Sequence, residues 1–192
     1  MIRCLLCQTI SFSHICKVCQ HTFLKPTLTT RVLADDFQVF SFYRYSDIAT
    51  LLKTKHTHIG AGVYAILAYN SMRLFAHNFS FESMVYAVGV DDHVGHGYSH
   101  TAILSKSLKS KHITPLFSKL RAQTNVQYST KSLAYRLANP RGFVYHDNNL
   151  KDVIIVDDII TTGTTILEAK MSIEKTSSSP LFAITLADAK DT

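Results

Sequence analysis

The chain is 192 residues long, 46% hydrophobic and 18% charged, with a formal net charge of +6. That length suits one domain of ordinary size plus a small appendage, and the apolar content is enough to fill a core. No run approaches the 18 or more apolar residues of a membrane span and the first residues lack the apolar stretch of a secretory leader, so the expectation is a cytoplasmic protein without membrane insertion.

All four cysteines fall in the first twenty residues, as Cys4, Cys7, Cys16 and Cys19 with the spacing C-x2-C-x8-C-x2-C. Each C-x-x-C knuckle turns two thiolates toward one point, and two knuckles make a tetrahedral S4 site for zinc. Disulfides are the competing arrangement, but nothing in the sequence suggests an oxidising compartment. A thioredoxin-like motif would be a single C-x-x-C placed after a strand. The segment between the knuckles is too short to bury a core, so metal binding is expected to supply most of its folding energy, on the order of 10 kcal/mol or more. Four protein ligands close the coordination sphere, which makes the site structural. His14 and His21 lie nearby but are not needed as ligands, and read as solvated loop residues. Residues 1–24 are thus expected to form a zinc ribbon, joined through Lys25-Pro26-Thr27 to a domain spanning residues 25–192.

Residues 39–45 (VFSFYRY) predict an aromatic strand, paired in a hairpin with residues 31–33. Ile48, Leu51 and Leu52 fit a helical turn, residues 53–58 form a polar break, and residues 59–69 have helical character. Residues 84–90 predict an apolar strand ending at Asp91 and Asp92. A helix is expected over residues 102–108 and a short strand within 116–128, while residues 133–137 fit either type. From His93 to His146 the chain holds no Asp or Glu, yet Lys106, Lys109, Lys111, Lys119, Arg121, Lys131, Arg136 and Arg141 all fall there. Such a stretch reads as a basic face for pyrophosphate, nucleic acid or both, or as a solvated surface with no partner. The interleaved Tyr98, Phe117, Tyr128, Tyr135, Phe143 and Tyr145 either stack on unpaired bases or belong to the core.

Residues 153–156 (VIIV) are β-branched throughout and predict a strand buried on both faces, as in parallel sheets. Asp157 and Asp158 then stand at its carboxyl end, where open α/β sheets bind ligands. The turn Thr161-Thr162-Gly163-Thr164-Thr165 opens a helix over residues 164–175. Its small residues let backbone N–H groups converge on an anion. Residues 177–180 (SSSP) end that helix, and residues 181–186 make a last strand. Carboxylates and a phosphate cradle suit different atoms, so their pairing implies a ligand with both hydroxyls and a phosphate, such as a ribose 5-phosphate. A plain helix capped by Thr164 or Thr165 needs neither a second Asp nor four threonines around one Gly. A Walker B strand requires a partner G-x-x-x-x-G-K-[ST] loop, and the chain contains no Gly-Lys pair. Strands alternating with helices predict an α/β fold with a mostly parallel sheet flanked by helices.

The segment VIIVDDIITTGTT resembles the 5-phosphoribosyl-1-pyrophosphate (PRPP) motif of type I phosphoribosyltransferases. The resemblance implies that Asp157 and Asp158 hold the ribose hydroxyls, and that Ile160, Thr161, Thr162, Gly163, Thr164 and Thr165 belong to the loop around the 5-phosphate. It also implies magnesium bridging the pyrophosphate and the ribose hydroxyls. Joined to a Cys4 ribbon, this motif makes nearly the whole chain resemble the ComF-type competence proteins (ComFC or GntX-like). Further matches are Tyr43-Arg44-Tyr45 followed by Leu52-Lys53-Thr54-Lys55, then Thr124 and Gln127, Arg136 and Asn139, and Phe143. Where that family reads Arg-Gly-Phe-Asn-Gln, this chain has His96-Gly97-Tyr98-Ser99-His100. Arg grips phosphate through a permanently charged fork, whereas His is only partly charged near neutrality. A loop closing on pyrophosphate through His96 is therefore expected to grip weakly and with pH dependence; the alternative is a solvated His96. Lys53 or Lys55, and also Arg121, are candidate pyrophosphate contacts. The resemblance implies a role in DNA uptake during natural transformation, with single-stranded DNA and other competence proteins as partners. The alternative is an active phosphoribosyltransferase on a nucleobase or related acceptor, whose identity no residue reveals.

Overall fold

Eight of the ten described strands and all but one of the described helices build a three-layer body around a central sheet, seen in a computed structural model that describes residues 1–90, 97–123, 141–147, 149 and 151–190. The expectations attached to Asp91, Asp92, His96, Thr124, Gln127, Tyr128, Lys131, Tyr135, Arg136, Asn139 and residues 133–137 lie outside the described residues. In chain order, β1 (Ile2–Arg3), β2 (Ile10–Ser11) and α1 (Lys17–Phe23) form an N-terminal module. Then follow β3 (Thr29–Val32), β4 (Gln38–Arg44), α2 (Tyr45–Leu52), α3 (Gly60–Asn70), α4 (Met72–Asn78), β5 (Val85–Gly89), α5 (His100–Ser107) and β6 (Ile113–Leu116). The remaining elements are β7 (Leu120–Ala122), β8 (Phe143–Tyr145), β9 (Asp152–Ile160), α6 (Thr164–Glu174) and β10 (Ser179–Asp188).

Six strands form the central sheet in the order β3-β4-β10-β9-β5-β6. Strand β3 is antiparallel to β4, which is the hairpin expected from residues 31–33 and 39–45, and every other pairing is parallel. The fold is therefore α/β with a mostly parallel sheet flanked by helices. Strand β9 extends beyond its apolar run and carries both Asp157 and Asp158, with Asp157 in register with Thr185 of β10. Strand β10 starts at Ser179, and its register shifts between Pro180 and Phe182. Pro lacks the N–H a ladder needs, so it is tolerated at a strand's start or at such an irregularity.

The β-branched run of β9 is buried on both faces. Ile154 and Val156 join one apolar cluster, Val153 and Ile155 the other, and none of the four is exposed. Each such side chain is worth roughly 1.5–3 kcal/mol of burial, which makes β9 the anchor of the sheet. The first cluster packs α2, α3, α4 and α5 on one face; the second packs α6 and the β7–β8 pair on the other. Cys4, Ile15, Cys19 and Leu24 of the N-terminal module belong to the first cluster. Polar contacts reinforce that seam. Tyr43 Oη donates to the Leu24 carbonyl at 3.3 Å and Asn70 Nδ2 to Gln20 Oε1 at 3.2 Å. Among the described residues no helix is long and apolar enough to cross a membrane.

Candidate functional site

The sheet has a topological switch point between β9 and β5. From β5 the chain crosses through α5 to β6 on one side, and from β9 it crosses through α6 to β10 on the other. The two strands separate their connections there, leaving a crevice beyond their carboxyl ends where ligands of open α/β sheets bind. Val90 N–H donates to the Val156 carbonyl at 2.8 Å, so the strands stay paired up to the residue before Asp157.

Asp158 stands at the strand's carboxyl end, where a lone carboxylate would face solvent, yet it is only 5% exposed. Side chains from elsewhere in the chain cover it and compensate its charge. Tyr64 Oη of α3 donates to Asp158 Oδ2 at 2.9 Å, Lys55 Nζ approaches the same oxygen at 3.2 Å, and His100 Nε2 at the start of α5 lies 3.7 Å away. Burial alone would raise the Asp158 carboxyl, but the charges of His100 and Lys55 and the hydrogen bonds from Tyr64 and Lys55 outweigh it and hold the group at about 2. Tyr64 is pushed well up from the ordinary phenol value, first by burial and then by the Asp158 anion, so it remains a proton donor to that anion. Asp157 is half-buried and accepts the Asp158 backbone N–H at 2.8 Å. Ligand atoms of His100, Asp157 and Asp158 lie within 4.8 Å of one another, a spacing that one cation can bridge.

Lys55 is positioned by a 3-10 turn over Lys53–His56, laid against the start of α3. A Cβ on Gly60 would fall 2.3 Å from the Thr54 carbonyl oxygen and 2.0 Å from Tyr98 Oη, so only glycine permits that approach. Tyr98 Oη in turn donates to the Lys55 carbonyl at 2.6 Å.

Beyond β9, Ile160 is buried while Thr161 and Thr162 are exposed. Gly163 stands at the N-cap of α6 in the left-handed conformation at φ 84° and has no side chain to offer the first turn. Thr162 Oγ1 accepts the Thr164 backbone N–H at 3.4 Å, and the hydroxyls of Thr162 and Thr164 pair with each other at 2.9 Å. A plain helix capped by Thr164 or Thr165 is therefore not what forms, and the exposed loop presents hydroxyls and helix-start amides together. That is the composition of an anion cradle. Arg31 of β3 fixes the loop from behind: its guanidinium donates to the Thr161 carbonyl and grips Asp188 at the end of β10 with two nitrogens.

Of the expected pyrophosphate contacts, Lys55 reaches the carboxylates, whereas Lys53 is exposed and forms no hydrogen bond or ion pair with them. Arg121 is exposed on β7, in the separate two-stranded sheet, and is not brought to the carboxylates. Tyr64, His100 and Arg31 were not assigned roles from sequence. Nothing local distinguishes them, because each acts on a residue at least 58 positions away.

The N-terminal cysteines converge as expected. Their four sulfurs lie within 4.8 Å of one another, with Cys7 Sγ and Cys16 Sγ 3.7 Å apart. Zn–S bonds of about 2.3 Å in a tetrahedron place sulfurs about 3.8 Å apart, so the cluster fits a zinc ion. Backbone N–H groups point at the sulfurs: Cys16 N–H to Cys4 at 3.3 Å and Cys19 N–H to Cys16 at 3.4 Å, the latter also capping α1. Burial would raise the Cys4 thiol, yet amides of Cys7, Cys16 and Leu6 bring it down to about 6, favouring the thiolate that binds metal. Cys19 is pushed up by burial and by the neighbouring sulfurs, a repulsion that a divalent cation relieves. His14 is half-buried rather than solvated, with its ring in the space a Gly62 side chain would fill, and His21 is exposed.

The chain matches no family model and no curated protein sequence.

Proposed function

We propose that the protein binds PRPP together with magnesium at the end of β9, as a type I phosphoribosyltransferase-like member of the ComF-type competence proteins. The observation that carries the reading is the pairing, at one switch-point crevice, of the Asp157–Asp158 carboxylates with loop 161–165, which turns into α6 through the left-handed Gly163. The exposed threonine hydroxyls and helix-start amides suit a 5-phosphate, and Asp157 suits the ribose hydroxyls. Magnesium, when bound, supplies neutralisation of pyrophosphate charge. Lys55 and His100, converging on Asp158, put positive charge where pyrophosphate would sit, and Tyr64 keeps the Asp158 carboxylate oriented. The resemblance of the motif and the Cys4 module extends the proposal to handling single-stranded DNA during transformation, in the cytoplasm and alongside other competence proteins.

Calorimetric titration of PRPP in magnesium tests the site. Saturable binding by the wild type and its loss in Asp157→Asn support it, whereas equal affinity in both would sink it. The convergence of Lys55 and His100 favours a second reading, an active transferase. There the C1–O bond to pyrophosphate breaks, pyrophosphate leaves with the electron pair, and C1 bonds to a nucleobase nitrogen, whose proton passes to the departing pyrophosphate. Pyrophosphate release on addition of a panel of bases decides that point.

A further inference from the structure

At the end of the helical layer away from the β9 crevice lies a cleft of about 870 Å³, lined by the last turns of α3, α4 and α5 and by residues 109–112 before β6. Gly60 and His100 stand at the crevice end of α3 and α5, while Tyr69 and Lys106 stand at the other. A rise of about 1.5 Å per residue puts about 9 Å of α5 between His100 and Lys106 and about 13 Å of α3 between Gly60 and Tyr69. Four cations line the cleft, Arg73, Lys106, Lys109 and Lys111, with His77 and His112 beside them, and no carboxylate is among the lining residues. All four cations are exposed, and among the described residues none forms an ion pair with a carboxylate.

Three helices, α3, α4 and α5, end at this cleft. Each carbonyl end contributes roughly −0.5 of an elementary charge, about −1.5 against four formal positive charges, so a surplus of roughly +2.5 remains for a bound anion. Aromatic surface accompanies the charge. Tyr69 is 51% exposed, with the Arg73 guanidinium 5.0 Å from its ring centroid. Phe79 also lines the cleft and stacks with Phe81 at an interplanar angle of 10°. A compact inorganic anion uses only the cations. A flexible strand of linked phosphates bearing flat bases uses both the cations and the rings.

We propose that this cleft is a second binding site, for single-stranded nucleic acid, with Arg73, Lys106, Lys109 and Lys111 on the phosphates and Tyr69 under a base. It rests on the proposed handling of single-stranded DNA, and locates that contact away from the PRPP crevice. Four phosphate contacts give a log–log salt slope of about −2.8, so affinity is expected to fall about 50-fold between 50 and 200 mM salt.

The test is fluorescence anisotropy of a labelled thymidylate oligomer of roughly 20 nucleotides, long enough to span one site, with the full chain. The triple reversal Arg73→Glu, Lys106→Glu, Lys109→Glu is expected to weaken binding at least tenfold and to flatten the slope toward about −0.7. Tyr69→Ala is expected to weaken it at least fivefold. A matched reversal of the exposed Lys25, Lys175 and Lys190, all to Glu, is expected to do so by less than threefold. Melting curves and PRPP calorimetry on the same variants report folding and the crevice separately. Equal losses in the two triple variants, or wild-type affinity in the first, would overturn the cleft assignment while leaving DNA handling in place. A wild type that ignores the oligomer, including one that instead binds only tripolyphosphate or phosphatidylglycerol vesicles, would overturn both, with the PRPP reading judged by its own titration.

Discussion

Replacing Asp158 by Asn isolates what a buried carboxylate does at the crevice. Asparagine keeps the shape and an oxygen for Tyr64, but leaves Lys55 and His100 without their anion. Against an ordinary carboxylate near 3.8, a carboxyl held at about 2 represents on the order of 2–3 kcal/mol of native-state stability. The sign follows from the depressed value: the contribution is fully present above about pH 4 and is lost as pH falls through about 2. At pH 3 about half of it remains. For a chain of this length the loss at pH 7 corresponds to a Tm lower by about 5–10 °C. Urea denaturation of wild type and Asp158→Asn at pH 7 and pH 3, followed by circular dichroism, measures both differences. A gap equally large at pH 3 and pH 7 would refute the electrostatic origin and assign the loss to packing. The same burial makes a double replacement of Asp157 and Asp158 a poor test of ligand binding, because it confounds unfolding with loss of contact; Asp157→Asn is the cleaner change.

Gly163→Ala places a Cβ 2.7 Å from Leu33 Cδ2 at a φ of 84° and is expected to cost about 1–3 kcal/mol in urea denaturation. Adding Leu33→Ala relieves the clash but not the backbone strain, so only part of the loss is expected back. Lys55→Met removes one of the cations that hold the Asp158 carboxyl down, and its acid-unfolding midpoint is expected to move to higher pH while PRPP affinity falls. Elemental analysis is expected to find one zinc per chain, and a strong chelator or Cys19→Ser is expected to lower the melting temperature and the helical signal together.

The parts of the fold legible in sequence are those whose cause is local. The β-branched run of β9, the aromatic β4 and the two cysteine knuckles each announce their structure within a few residues. Strand β6 escaped because Pro115 argues against a strand, yet β6 lies at the sheet's edge, where a missing N–H is tolerated. Helix α4 escaped because only Ser71, with non-helical φ and ψ, separates it from α3. At the crevice the loop and both carboxylates were legible, but the burial of Asp158 was not. A charge enters a core only when partners compensate it, and these come from Tyr64, 94 positions away, and Lys55, 103 positions away.

The shared core of the N-terminal module has a consequence for oxidative conditions. Ile15 and Leu24 are sealed against the same apolar cluster as α3 and α4. Oxidising the four thiols to disulfides ejects a bound cation and undoes the knuckle geometry that holds α1. The apolar surface then bared is not that of a dispensable finger but the flank of the helical layer, where the module meets α3 beside Gly62 and Asn70. Peroxide exposure is thus expected to register first as aggregation of the whole protein, ahead of any change in the chemistry of its crevice.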